Sequence, residues 1–85
     1  MDARDAHRHS SSHRAELERS GRCGCFYCLA TFPPEAVADW LAEPGGGETA
    51  RCPRCGIDSV IGDASGAPVT EAFLGRMRAV WFGGG

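Results

Sequence analysis

Apolar positions in this chain fall into short groups separated by polar, glycine and proline punctuation, and the spacing within the groups changes along the sequence. Met1 to Ser11 is charged and rich in His and Ser, a pattern that predicts a flexible tail. His13 to Ser20 has the composition of a short polar helix, with Ser10, Ser11 or Ser12 as cap and Leu17 as its one large apolar residue. Phe32-Pro33-Pro34-Glu35 opens a second helix, because proline suits the first helical position and an early acid suits the N-terminal dipole. In it, Val37, Trp40 and Leu41 recur at i, i+3, i+4 and form one apolar face. Pro44-Gly45-Gly46-Gly47 ends it, and Thr49 to Arg51 runs on extended. Ile57 to Ile61 reads as a short strand, followed by a turn over Gly62 to Gly66. Thr70 caps a last helix in which Phe73, Leu74, Met77, Val80 and Trp81 share one side. The domain is small, so Trp40, Trp81 and Phe82 are expected in its core.

Between these elements lie two close cysteine pairs, Cys25-Phe26-Tyr27-Cys28 and Cys52-Pro53-Arg54-Cys55-Gly56. Two thiolates separated by two residues turn inward on one tight loop, and two such loops complete a tetrahedral sulfur cage. The intervening stretch, Leu29 to Arg51, is slightly longer than usual in ribbons, which calls for a structured insert. Proline presets φ in the second loop, and glycine after its last cysteine can take φ > 0, so that backbone N–H groups point at sulfur. The predicted metal ligands are Cys25, Cys28, Cys52 and Cys55, and the predicted cofactor is Zn2+. The other readings of these cysteines are two disulfides, buried thiols or a redox motif. The five cysteines are odd in number, and the N-terminal stretch has no apolar run to act as a secretory signal. A cytoplasmic, reducing location without a membrane span is therefore expected, and there cysteine pairs more often hold metal than each other.

A chain of 85 residues is one small domain with little apolar surface to bury. Structural zinc contributes about 10–16 kcal/mol of apparent binding free energy, which rivals a domain's net stability of about 5–15 kcal/mol. Metal removal is thus expected to unfold it. The predicted architecture is α+β: a zinc-ribbon-like domain with two Cys-x2-Cys knuckles, an intervening helix, a short strand or hairpin and a C-terminal helix. Residues 12–82 form the zinc-binding domain, with flexible tails at 1–11 and 83–85.

Ser12-His13-Arg14-x-Glu16, Cys23-Gly24-Cys25-Phe26-Tyr27-Cys28-Leu29, Phe32-Pro33, Trp40, Thr49-Ala50-x-Cys52-Pro53-x-Cys55-Gly56-Ile57-Asp58-Ser59-Val60-Ile61-Gly62 and the closing Trp81-Phe82 together form a recognisable pattern. It resembles a family of short bacterial cytoplasmic zinc-knuckle proteins. The resemblance covers residues 12–82 and implies a zinc-knuckle domain and a cytoplasmic address. It implies no activity.

Cys23 reads as a small, partly buried thiol beside the knuckle, or as a spare ligand or redox-sensitive thiol whose pKa is lowered by metal or by Arg22. His7 and His9 read as part of a solvated tail, with a second metal site as the alternative. His13 and Glu16 are i, i+3 neighbours and read as an ordinary exposed pair, although histidine with a carboxylate is the minimum for general base chemistry. Asp58 and Asp63 fall on opposite strand faces, which argues against a shared Mg2+ site; Asp58 is expected to hydrogen-bond near the knuckle and Asp63 to start a turn.

Net charge is −2, and all nine positive charges are arginine. Dedicated nucleic-acid binders usually carry a clear positive excess. The leading function is therefore a non-catalytic zinc-binding protein whose metal stabilises an interaction domain for a protein partner. The alternatives are a nucleic-acid-binding zinc ribbon using Arg51, Arg54, Arg76 and Arg78, and an enzyme resembling HNH nucleases. The nuclease requires a histidine at its core hairpin, whereas every histidine here precedes the first cysteine.

Overall fold

The computed structural model describes residues 1–83. Its helices and antiparallel strands give the expected α+β architecture. The central feature is a three-stranded sheet in the order β2-β1-β5, formed by β1 (Cys23–Cys25), β2 (Thr31–Phe32) and β5 (Val60–Gly62). Cys23 lies opposite Phe32 on one side and Gly62 on the other, while Cys25 faces Val60. All of β1 and β5 is buried, as the middle and flank of a small sheet should be.

The last helix, α3 (Glu71–Trp81), covers this sheet. Thr70 Oγ1 accepts the N–H of Phe73 at 3.2 Å, the cap read from the sequence. Phe73, Leu74 and Met77 enter the core, where Ile61, Phe26, Ala67 and Val69 meet them. Gly24 makes that close packing possible: a Cβ there would lie 2.7 Å from Leu74 Cδ1 and 2.8 Å from Val69 Cγ1. Val80 and Trp81 leave the core, and Trp81 and Phe82 are 40% and 43% exposed. The expectation that they fill the interior is corrected: α3 outlasts the sheet beneath it. Trp40 is only partly buried, packed against the second core cluster.

The insert between the knuckles also differs from expectation. Only one 3-10 turn, Pro34–Ala36, forms after Phe32-Pro33, and Trp40 and Leu41 lie on a strand. β3 (Trp40–Ala42) pairs with β4 (Glu48–Ala50) as a two-stranded hairpin, with Leu41 opposite Thr49. Pro44 to Gly47, read as a helix stop, is the hairpin turn.

The N-terminal segment is folded, contrary to the flexible tail expected for 1–11. α1 (Ala3–Ala6) is capped by Asp2, whose Oδ1 accepts the N–H groups of Arg4 and Asp5. Ala6 is fully buried in the cluster beneath α3, and Trp81 Nε1–H donates to Ala3 O at 3.0 Å. A 3-10 turn, His7–Ser10, leads to α2 (Arg14–Glu18), where Leu17 is fully buried. No serine caps α2; its N-cap is His13, and the Ser12 hydroxyl donates to Gly46 O instead. Of the expected tail at 83–85, Gly84 and Gly85 lie outside the described residues. No helix among the described residues is long and apolar enough to cross a membrane.

Candidate metal centre

The two knuckles repeat one backbone scheme. In the first, Cys25 Sγ accepts the N–H groups of Tyr27 (3.3 Å) and Cys28 (3.4 Å), while Leu29 N–H closes the loop onto Cys25 O. In the second, Cys52 Sγ accepts from Arg54 (3.3 Å) and Cys55 (3.5 Å), and Gly56 N–H closes onto Cys52 O. Each loop thus aims backbone dipoles at its leading sulfur, the outer-shell support that thiolate ligands require. The residue after the last cysteine must turn left-handed in both. Gly56 does so at φ +80°, as read from the sequence, and Leu29 does so at φ +66°.

Folding brings the loops face to face. The Sγ atoms of Cys25, Cys28, Cys52 and Cys55 all lie within 4.8 Å of one another, and this is the one such cluster among the described residues. Cys25 Sγ is 3.7 Å from Cys55 Sγ, and Cys28 Sγ is 3.7 Å from Cys52 Sγ. All five cysteines are free of disulfides. The four expected ligands are therefore those the fold assembles, in an arrangement suited to a metal ion.

Electrostatics divide the four. Burial opposes ionisation of Cys52, but the N–H groups of Cys55 and Arg54 outweigh it and hold its thiol below the ordinary range. Burial pushes the thiols of Cys28 and Cys55 up, Cys55 to about 12, and neighbouring cysteine sulfurs add to the rise. Four thiolates this close repel one another, which is the repulsion a bound divalent cation neutralises.

Cys23 stays outside the cluster, fully buried in β1. Burial, then Asp63 and Glu35, raise its pKa to about 11, so the reading of a reactive, low-pKa thiol is reversed. Ser59 was not anticipated as part of the site. Its Oγ lies 3.0 Å from Cys25 Sγ, both buried, and Ser59 O accepts Phe26 N–H. The one signal for it in the sequence is a small polar residue directly before the apolar pair Val60-Ile61.

The other candidates fall elsewhere. His13 is 4% exposed, not a surface partner of Glu16. Its Nδ1–H donates to His9 O at 2.6 Å and its Nε2 accepts Ala50 N–H at 3.0 Å, tying the N-terminal segment to β4. Glu16 instead pairs with His9 at 3.1 Å. His7 stacks on Trp81 with ring centroids 3.9 Å apart. Asp63 accepts Gly21 N–H and opens the 3-10 turn Asp63–Ser65 as expected. Asp58 is exposed and makes no side-chain hydrogen bond or ion pair among the described residues, which corrects its expected role near the knuckle. Arg51 pairs with Asp39 at 3.5 Å, and Arg76 and Arg78 lie over the rings of Phe73 and Tyr27. No protein family, curated protein or solved structure matches the chain, so the site's own geometry carries its interpretation.

Proposed function

We propose that the four sulfurs hold one structural Zn2+ and that the chain is a non-catalytic, zinc-stabilised interaction domain for a protein partner in the cytoplasm. The observation that carries the metal is the sulfur geometry. A tetrahedron with metal–sulfur distances of about 2.3 Å has edges of roughly 3.8 Å, and two of the Sγ–Sγ distances here are 3.7 Å. Four thiolates fill every position of such a centre and leave none open for water or substrate, as in structural rather than catalytic sites. Membership of the bacterial zinc-knuckle family that the motifs resemble belongs to the same proposal.

The interaction role is supported by the surface beside the metal. Tyr27, Val80, Trp81 and Phe82 are each 38–43% exposed, and Tyr27 packs edge-on against Phe82 with centroids 4.9 Å apart. Contiguous exposed aromatic surface on a small domain marks a binding face. Nucleic-acid binding is less well supported, because Arg51, Arg76 and Arg78 are engaged with Asp39, Phe73 and Tyr27.

Cobalt substitution tests the metal. Co2+ titrated into metal-stripped protein should give one equivalent of intense visible and thiolate charge-transfer absorption, with weaker charge transfer in a Cys52→Ser variant, which keeps three sulfur ligands. A spectrum unchanged in that variant would show that Cys52 is not a ligand.

A further inference from the structure

We infer that the cleft beside the first knuckle binds the guanidinium group of an arginine side chain presented by the partner protein. This deepens the interaction-domain reading and rests on it. The cleft, about 310 Å³, is walled by the rings of His7, Phe26, Trp81 and Phe82, with Asp58 as its one carboxylate. Of the three serines that also line it, Ser59 and Ser10 commit their hydroxyls to Cys25 Sγ and to His7 O, and Ser11 adds a neutral hydroxyl. Asp58 is therefore the charged group left to recognise a ligand, and it has no ion-pair partner among the described residues.

Aromatic walls with one free carboxylate are complementary to an organic cation. A guanidinium suits them better than an ammonium, because it is planar, stacks on rings and meets a carboxylate with two parallel N–H donors. The chain uses the same contact elsewhere. Arg14, Arg76 and Arg78 lie over Trp40, Phe73 and Tyr27, with guanidinium carbons 4.7, 5.4 and 5.2 Å from the ring centroids. No arginine of this chain lies over Trp81 or Phe82 among the described residues, so these two exposed rings remain for a cation supplied from outside, while Phe26 is buried and lines the cleft from the core.

The test is a heteronuclear NMR titration of the zinc-loaded chain at about pH 8, above the ordinary histidine range. N-acetyl-arginine amide is added through the millimolar range, with the citrulline and lysine analogues as controls. Arginine is expected to shift the Trp81 indole N–H and the amides of Asp58, Ser59 and Phe82. The neutral citrulline isostere should leave them in place, and Asp58→Asn, an exposed substitution, should weaken the response roughly two- to fivefold. Equal shifts from citrulline or lysine, an unchanged response in Asp58→Asn, or no shift at these signals would each overturn the assignment. Zinc stoichiometry measured on the same samples separates the two readings: retained zinc without arginine binding sinks the cleft alone, whereas a chain without zinc sinks the metal-stabilised domain.

Discussion

The two knuckles present the same hydrogen bonds to sulfur and are anchored by different physics. The first is held by side chains. Cys25 lies on the central strand, Phe26 is buried beneath α3, Leu29 packs against the same cluster, and Ser59, the residue before β5, supports Cys25 Sγ. The second is held by its own turn chemistry. Pro53 and Arg54 are exposed, Gly56 takes the left-handed turn, and only Cys52 is fully buried there. One backbone solution to sulfur ligation thus tolerates either support, and the tightness of tertiary packing decides which residues are permitted. Leu29 occupies a left-handed φ that a leucine adopts at a cost of roughly 1–2 kcal/mol, which its apolar contacts offset.

Substitutions should separate the two supports. The largest difference is expected between Phe26→Ala and Arg54→Ala, each of which removes one side chain carried between the two cysteines of a knuckle. The first opens the core and should destabilise by about 3–5 kcal/mol, while the second should stay within about 0.5 kcal/mol, both read by chemical denaturation of zinc-loaded protein. A large loss from Arg54→Ala would mean that the second knuckle, too, depends on its side chains. The positions after the last cysteines come next. Gly56→Ala should cost about 1–2 kcal/mol through its left-handed φ alone, since the added Cβ meets nothing within 4 Å. Leu29→Gly relieves the same strain but loses packing, so its melting temperature should move much less than that of Gly56→Ala.

A smaller effect concerns pH and the segment preceding both knuckles. Burial lowers the His13 pKa below its ordinary 6.5, against the opposing influence of the His9 carbonyl and of Glu16 and Glu43, with His9 adding to the fall. The folded state therefore prefers neutral His13, whose Nε2 must accept Ala50 N–H. Its contribution is fully present above pH 6.5, the unfolded value, and is lost as pH falls through the lower folded value. Hydrogen exchange at Ala50 should accelerate as pH drops below 6.5 relative to exchange in α3, after correction for intrinsic rates. His13→Gln should flatten that dependence, and an unchanged pH profile in the variant would remove His13 as its cause.

How much of this was legible in the sequence follows from the range of each interaction. The cysteine pairs, the glycine after Cys55 and the Thr70 cap are local chemistry, and each lies where its spacing put it. The helix read into 34–43 failed because Val37, Trp40 and Leu41 fit a helical face, while Trp40–Ala42 is too short for its strand period to register. Pro44 to Gly47 stops a helix and turns a hairpin with the same residues, and pairing with Glu48–Ala50 decided between them. The segment 1–11 read as a tail because its anchors are distant: Ala6 beneath α3, Ala3 O at the Trp81 indole, and His7 on Trp81. None of those contacts has a signature within its own stretch of sequence.

Metal dependence of the fold is the central claim, and native mass spectrometry of the chain with and without a strong chelator addresses it most directly. The account predicts one zinc per chain, lost together with the compact charge-state distribution. A compact, folded chain that carries no metal would contradict it.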